Sequence, residues 1–176
     1  SSSRVLRITI CSVGGTGLQN EGVLHSSNSG GNPSTGTRTI NGDVFNVGKV
    51  DSDALLTLNA LFDTEHGTVD VRDGDVRANG TTVFGLGTVL LGIDGNDELL
   101  LNGNVLIRDG YWHSTDANLV LEGSVLFEGD RFSNDTGLVT YGANDVFDVF
   151  FENRGSLTIE GRSALDAALS FQQGLA

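Results

Sequence analysis

The sequence predicts an all-β chain wound into a parallel β-helix, a β-solenoid with coils of about 20 residues and irregular capping ends. Three observations predict it. Leu99-Leu100-Leu101-Asn102-Gly103-Asn104-Val105-Leu106-Ile107 aligns without a gap on Leu119-Val120-Leu121-Glu122-Gly123-Ser124-Val125-Leu126-Phe127, 20 residues later. Glycine is abundant, 25 residues against a single proline, where average usage gives about 12. Apolar and polar residues alternate in short runs bounded by Gly, Asn and Asp, the pattern of brief strands joined by tight turns.

The repeat extends beyond those two units. Val139-Thr140-Tyr141-Gly142 falls in the same phase, and Leu157-Thr158-Ile159-Glu160-Gly161 restarts it. Upstream, Leu56-Thr57-Leu58-Asn59 and Val69-Asp70-Val71-Arg72-Asp73-Gly74-Asp75-Val76 read as the same unit. Alternation turns one side of each strand inward, and a Gly lets the chain round a corner. Each strand then stacks on its equivalent one coil later. The expected inward columns are Leu99 on Leu119, Leu101 on Leu121 and Val105 on Val125. A sandwich would need hairpin turns and shows no such register.

Regular coils are expected over 37–162. Residues 1–36 hold an opening strand, Arg4 to Ile10, then loops with a short strand around Gly22 to Leu24. The loops contain the only proline, Pro33. In 163–176, Ala164, Leu165, Ala168 and Leu169 suit a short helix stopped by Gly174, a cap for the open end of the core.

Charge narrows the partners. There are 23 acids against 10 bases, a net −13, and Lys49 is the one lysine. That disfavours nucleic acid and anionic membranes. No apolar run is long enough to span a bilayer, so no membrane insertion is expected. The chain opens Ser1-Ser2-Ser3, lacks methionine and shows no signal peptide, as in a processed product or a fragment. Cys11 stands alone in an apolar run; a small buried side chain and a bridge between chains both fit it.

Phe45-Asn46-Val47-Gly48-Lys49-Val50, Glu65-His66-Gly67-Thr68-Val69-Asp70-Val71 and Glu152-Asn153-Arg154-Gly155-Ser156-Leu157-Thr158-Ile159 share a polar-x-Gly-x-apolar-x-apolar cadence. Over roughly Thr37 to Gly161 this resembles the repeats of bacterial β-helical surface proteins, the filamentous-haemagglutinin-like adhesins and autotransporter passenger domains. The resemblance implies a single-stranded right-handed β-helix exported to a cell surface, a virion or the medium. It implies no functional residue, because the shared positions are structural. Those proteins usually hold many more coils.

No Walker, dinucleotide or nucleophile-elbow pattern is present. His25, His66 and His113 each lack a second ligand at metal spacing. Asp94, Asn96, Asp97 and Glu98 crowd oxygen atoms into one turn, which suits either Ca²⁺ or a solvated turn. Asp70, Asp73 and Asp75 present the same choice, with Arg72 and Arg77 at hand. Tyr111 and Trp112 fall between two coils, where a loop would offer them to a sugar ring or a partner, or fold Trp112 inward. Phe127, Phe132, Phe147, Phe150 and Phe151 suit the core and its flank. Asn79 and Asn134 begin glycosylation sequons. Val5, Leu6, Ile8 and Ile10 offer a strand for pairing with a second copy.

The function expected is therefore a non-catalytic, secreted or surface-displayed structural or adhesive module. Its partners would be itself, in a layer or filament, or surface glycans and proteins. A carbohydrate-binding or carbohydrate-cleaving β-helix and a viral spike segment are the alternatives. Acids sharing a face with Trp112 would favour the carbohydrate side.

Overall fold

Three short strands per coil, each apolar on one side, enclose a column of side chains that no single coil could bury. The structure, a computed structural model, describes residues 7–8, 17–26, 38–93, 96–135, 137–140, 145–159, 164–165 and 169–171. Throughout them the chain is all-β without a helix, its parallel strands stacked coil upon coil as a β-solenoid.

The first side is a seven-stranded sheet running from Arg38–Ile40 through Leu56–Leu58, Val76–Ala78, Glu98–Leu101, Asn118–Leu121 and Gly137–Thr140 to Ser156–Ile159. The second side belongs to a ten-stranded sheet that begins at Leu18–Asn20 and passes through Val44–Asn46, Phe62–Asp63, Thr82–Gly85 and Val105–Arg108. A five-stranded sheet closes the third side of the early coils, with Val23–Ser26, Lys49–Ser52, Thr68–Asp70 and Val89–Leu91 in parallel. Its outer strand, Arg7–Ile8, pairs antiparallel with Val23–Ser26.

Later coils close differently. Leu126–Asn134 is long enough to serve two sides: its start pairs with Val105–Arg108 and its end with Tyr111–His113. Val146–Asn153 runs beside it along both stretches. The register of these two strands shifts between Glu128 and Arg131, a bulge that bends the sheet and re-aims the side chains beyond it. Gly129 sits in that bulge with φ at +120°, and a Cβ there would meet the Ile107 carbonyl. Gly129→Ala is expected to lower stability by about 2 kcal/mol or more, read as a fall in the urea midpoint. An unchanged midpoint would mean that the bulge relaxes freely.

The core is one continuous apolar cluster, from Leu24 and Val44 at one end to Phe147, Phe151 and Leu157 at the other. Leu99 stacks on Leu119 and Leu101 on Leu121, as the repeat predicts. Val105 does not stack on Val125: its partner is Phe127. Between paired positions, five residues separate Leu121 from Phe127 where three separate Leu101 from Val105, and Val125 is buried in that longer corner. Likewise Leu119 pairs with Leu138 rather than Val139, and Val76 rather than Val69 lies beside Leu99. Val69 belongs to the third side.

Two boundaries also move. The coils begin by Leu18, because Leu18–Asn20 and Val23–Ser26 already pair in register with Val44–Asn46 and Lys49–Ser52. The short strand near Gly22 is thus part of the solenoid. The helix expected in 163–176 is replaced, where the structure describes that segment, by strands Ala164–Leu165 and Leu169–Phe171, both parallel to Val146–Asn153. The sheet edge offered by Val146–Asn153 satisfies those backbone groups better than one isolated turn of helix would. Pro33, Cys11 and Gly174 lie outside the described residues.

Candidate functional site

Strand alternation turns Tyr111 and His113 inward and Trp112 outward. The segment is a strand, not a loop, and Trp112 is not folded inward: 59% of its surface is exposed. The same alternation on the next two strands points Ser133 and Glu152 outward in Trp112's column. Neighbouring strands lie about 4.8 Å apart, so the small Ser133 leaves a gap of about 10 Å between its two larger neighbours. A cavity of about 300 Å³ opens there, lined by Leu86, Asp109, Gly110, Tyr111, Trp112, Arg131, Ser133, Glu152 and Arg154.

Each wall is fixed by hydrogen bonds. The Trp112 indole N–H donates to Asp135 Oδ2 at 2.7 Å. Arg154 donates to Glu152 Oε1 through Nη2 at 2.7 Å and Nε at 3.1 Å, and Arg131 donates to Glu152 Oε2. Arg131 also lies over the Phe150 ring, 5.4 Å from its centre. Arg154 Nη1 stands 4.0 Å from Asp135, linking the two walls. The Arg131 guanidinium first, then that of Arg154, holds the Glu152 carboxyl below the usual carboxylate range. Glu152 therefore stays ionised and has no proton to give.

The floor is stiff. Beneath the groove Phe84 stacks on Tyr111 with ring centres 4.7 Å apart, and Phe132 stacks on Phe151 at 5.4 Å. Tyr111 and Phe132 join the two stacks at 5.6 Å. At the rim, Asp109 has φ at +57° and Gly110 at +93°, a left-handed corner that glycine accepts without strain. The site is thus an exposed aromatic face beside a guanidinium–carboxylate network, on rigid strands.

Acids that burial pushes above their usual range are elsewhere. Asp75 and Glu98 are both raised by desolvation, Glu98 also by Asp75 and Glu122, and both adjoin the first sheet. Beside Trp112 the carboxylates that line the cavity are Asp109 and Glu152, while Asp135 holds the indole N–H.

The other candidate residues are mostly placed by structural bonds. Asp70 is paired with Arg72 and Lys49, each at 2.6 Å. Asp97 Oδ2 accepts the Ile93 N–H at 2.5 Å, and Asp94 lies outside the described residues. Among the described residues no group of three or more His, Cys, Asp or Glu is placed to hold a metal ion. His25 meets Asp51 at 3.0 Å and His66 faces Glu65 at 3.6 Å. Asn134 cannot carry a glycan in the fold: it is fully buried, and its amide donates to Asn153 at 2.8 Å and to the Ser156 carbonyl at 2.9 Å. Asn79 belongs to an asparagine ladder along one corner, donating to Asn59 at 2.7 Å, while Asn59 donates to Asn41 at 2.8 Å. Ile8 pairs with Leu24 of the same chain, which occupies that stretch of strand edge; Val5, Leu6 and Ile10 lie outside the described residues.

Ser133, Asp135, Arg131, Glu152 and Arg154 are site residues that the sequence alone does not single out. Their signal is nonetheless present: Phe132-Ser133-Asn134 and Phe151-Glu152-Asn153 repeat an aromatic-x-Asn triplet in phase with Tyr111-Trp112-His113. Compared with family models, curated proteins and solved structures, the chain matches none. The groove is therefore read on its own chemistry.

Proposed function

We propose that this chain is a non-catalytic adhesive module, secreted or displayed at a surface, whose solenoid holds a saccharide-binding groove at Trp112. The observation that carries this is the exposed indole face, pinned through its N–H to Asp135 beside Arg131, Glu152 and Arg154. Sugar rings offer an apolar C–H face and a rim of hydroxyls. An aromatic plate flanked by fixed polar groups suits both. The aromatic stacks hold the strands beneath, so little ordering is needed on binding.

The adhesin-like cadence and the engagement of Glu152 by both guanidiniums favour holding a glycan over cutting it. Trp112→Ala is expected to weaken saccharide binding about 30-fold or more, as for a central Trp anchor, without lowering the melting temperature. Glycan-array screening and then calorimetry check this. A variant that binds as tightly as the parent would move the site away from Trp112.

A further inference from the structure

The groove's charges sort the saccharides it can take. Its two cations, Arg131 and Arg154, are both bonded to Glu152, and Arg154 also faces Asp135. Asp109 lines the rim, and the Asp130 carboxylate accepts the Asp109 N–H at 2.8 Å beside it. The acids Asp109, Asp130, Asp135 and Glu152 thus outnumber the two arginines, within a chain whose net charge is −13. From this, and resting on the saccharide reading above, we infer that the groove selects short uncharged pyranosides and rejects acidic glycans.

A carboxylate or sulfate on the ligand would compete with Glu152 for both guanidiniums. Displacing Glu152, whose side chain is 6% exposed, would strand a buried anion. The approach would also run against the field of the surrounding acids. An uncharged pyranoside meets neither obstacle. Each guanidinium has five N–H donors, of which Glu152 takes only some, so ligand hydroxyls can accept from the rest. The same hydroxyls can donate to Asp109 and to the lone pairs left on Glu152. Trp112 receives the apolar C–H face. At about 300 Å³ the cavity is at the small end of ligand sites, which suits a short saccharide rather than a long chain.

Trp112 is the sole tryptophan, so emission excited selectively at tryptophan reports on the groove. The whole chain is titrated with neutral methyl pyranosides and oligosaccharides of gluco, galacto and manno configuration. Sialyllactose and heparin oligosaccharides are titrated in parallel, each at low and high salt, with calorimetry as a second readout. At least one neutral saccharide should shift the emission saturably and independently of salt, about tenfold or more tighter than any acidic one. Glu152→Gln should raise the affinity for the acidic set, because it releases both guanidiniums; a merely structural role for Glu152 would not. If that variant does not fold, the comparison on the unaltered chain still decides. Acidic saccharides binding as tightly as neutral ones would overturn the selectivity and leave the saccharide groove standing. Neither class producing a signal by emission or calorimetry would overturn both.

Discussion

Replacing Phe132 with alanine is expected to lower stability by about 3–5 kcal/mol, the range for a fully buried aromatic ring. At this chain length that corresponds to a fall in melting temperature of about 6–20 °C. Phe132 has no exposed surface and touches three other aromatic rings: Tyr111 at 5.6 Å, Phe127 at 5.2 Å and Phe151 at 5.4 Å. It joins the stack under Tyr111 to the pair Phe127–Phe147, whose centres lie 5.4 Å apart. The cavity left by alanine would sit directly under Ser133, the next residue and the floor of the groove. Saccharide affinity should therefore weaken along with stability, although Phe132 does not line the groove. Calorimetric melting and saccharide titration on one preparation check both effects. A variant melting within about 2 °C of the parent would mean that the aromatic column is not a continuous packed unit.

The solenoid was legible because its first side repeats cleanly. Leu99-Leu100-Leu101 and Leu119-Val120-Leu121 carry the same in-out-in pattern at one spacing, and backbone pairing obeys it. What the repeat could not supply was the length of each corner. Turns are exposed, and extra residues in a turn leave the strand pattern on either side unchanged. A gap-free alignment therefore places Val105 on Val125, whereas the chain inserts Val125 into the corner and pairs Val105 with Phe127. The Val125 N–H is satisfied there by Asp145 Oδ1 at 2.9 Å, a contact between distant residues that no local pattern reveals. The helical spacing of Ala164, Leu165, Ala168 and Leu169 was overridden in the same way, by a free strand edge nearby.

Half of the groove was legible. Tyr111 and Trp112 stand out together in the sequence as candidate contact residues, and alternation then leaves Trp112 outside and Tyr111 buried. The opposite wall did not stand out, because Arg131, Glu152 and Arg154 are ordinary charged residues until stacking brings them together. Their order in space depends on the bulge at Gly129, where the chain gains the register shift that turns Arg131 toward Glu152. Phe150, read as core or flank, is 44% exposed and serves as the plate on which Arg131 rests. The Asn134 sequon misleads for the opposite reason. Asn134 is drawn inside by alternation, and its amide becomes the link between two coils.

Acidification should destabilise the fold through His113. The ring is fully buried and its Nε2 lies 3.0 Å from the Gly137 carbonyl. A carbonyl only accepts, so Nε2 carries the proton and the buried ring is neutral. Desolvation lowers its pKa to about 4, against the opposing pull of the Gly137 and Ala117 carbonyls and the Asp135 charge. The unfolded chain takes up a proton on this residue below pH 6.5, whereas the folded chain does so only near pH 4. Between those values the unfolded state binds more protons, so stability falls with pH and levels off below the folded value. The full loss is about 3 kcal/mol, or a drop of about 6–12 °C in melting temperature. Asp75, Glu98 and Asp145 are raised by burial and act in the other direction, since the folded state then holds their protons more firmly. Asp70 and Glu152 are lowered by their basic partners, and their contribution is lost only as pH falls through the folded values. The His113 contribution is isolated by comparison with His113→Gln, which can still donate to Gly137 but does not titrate. In melting curves from pH 7 to pH 4, the difference in melting temperature between the two proteins, whatever packing offset it has at pH 7, should shift against the histidine chain as pH falls. Parallel curves over that range would place the acid sensitivity in the carboxylates instead.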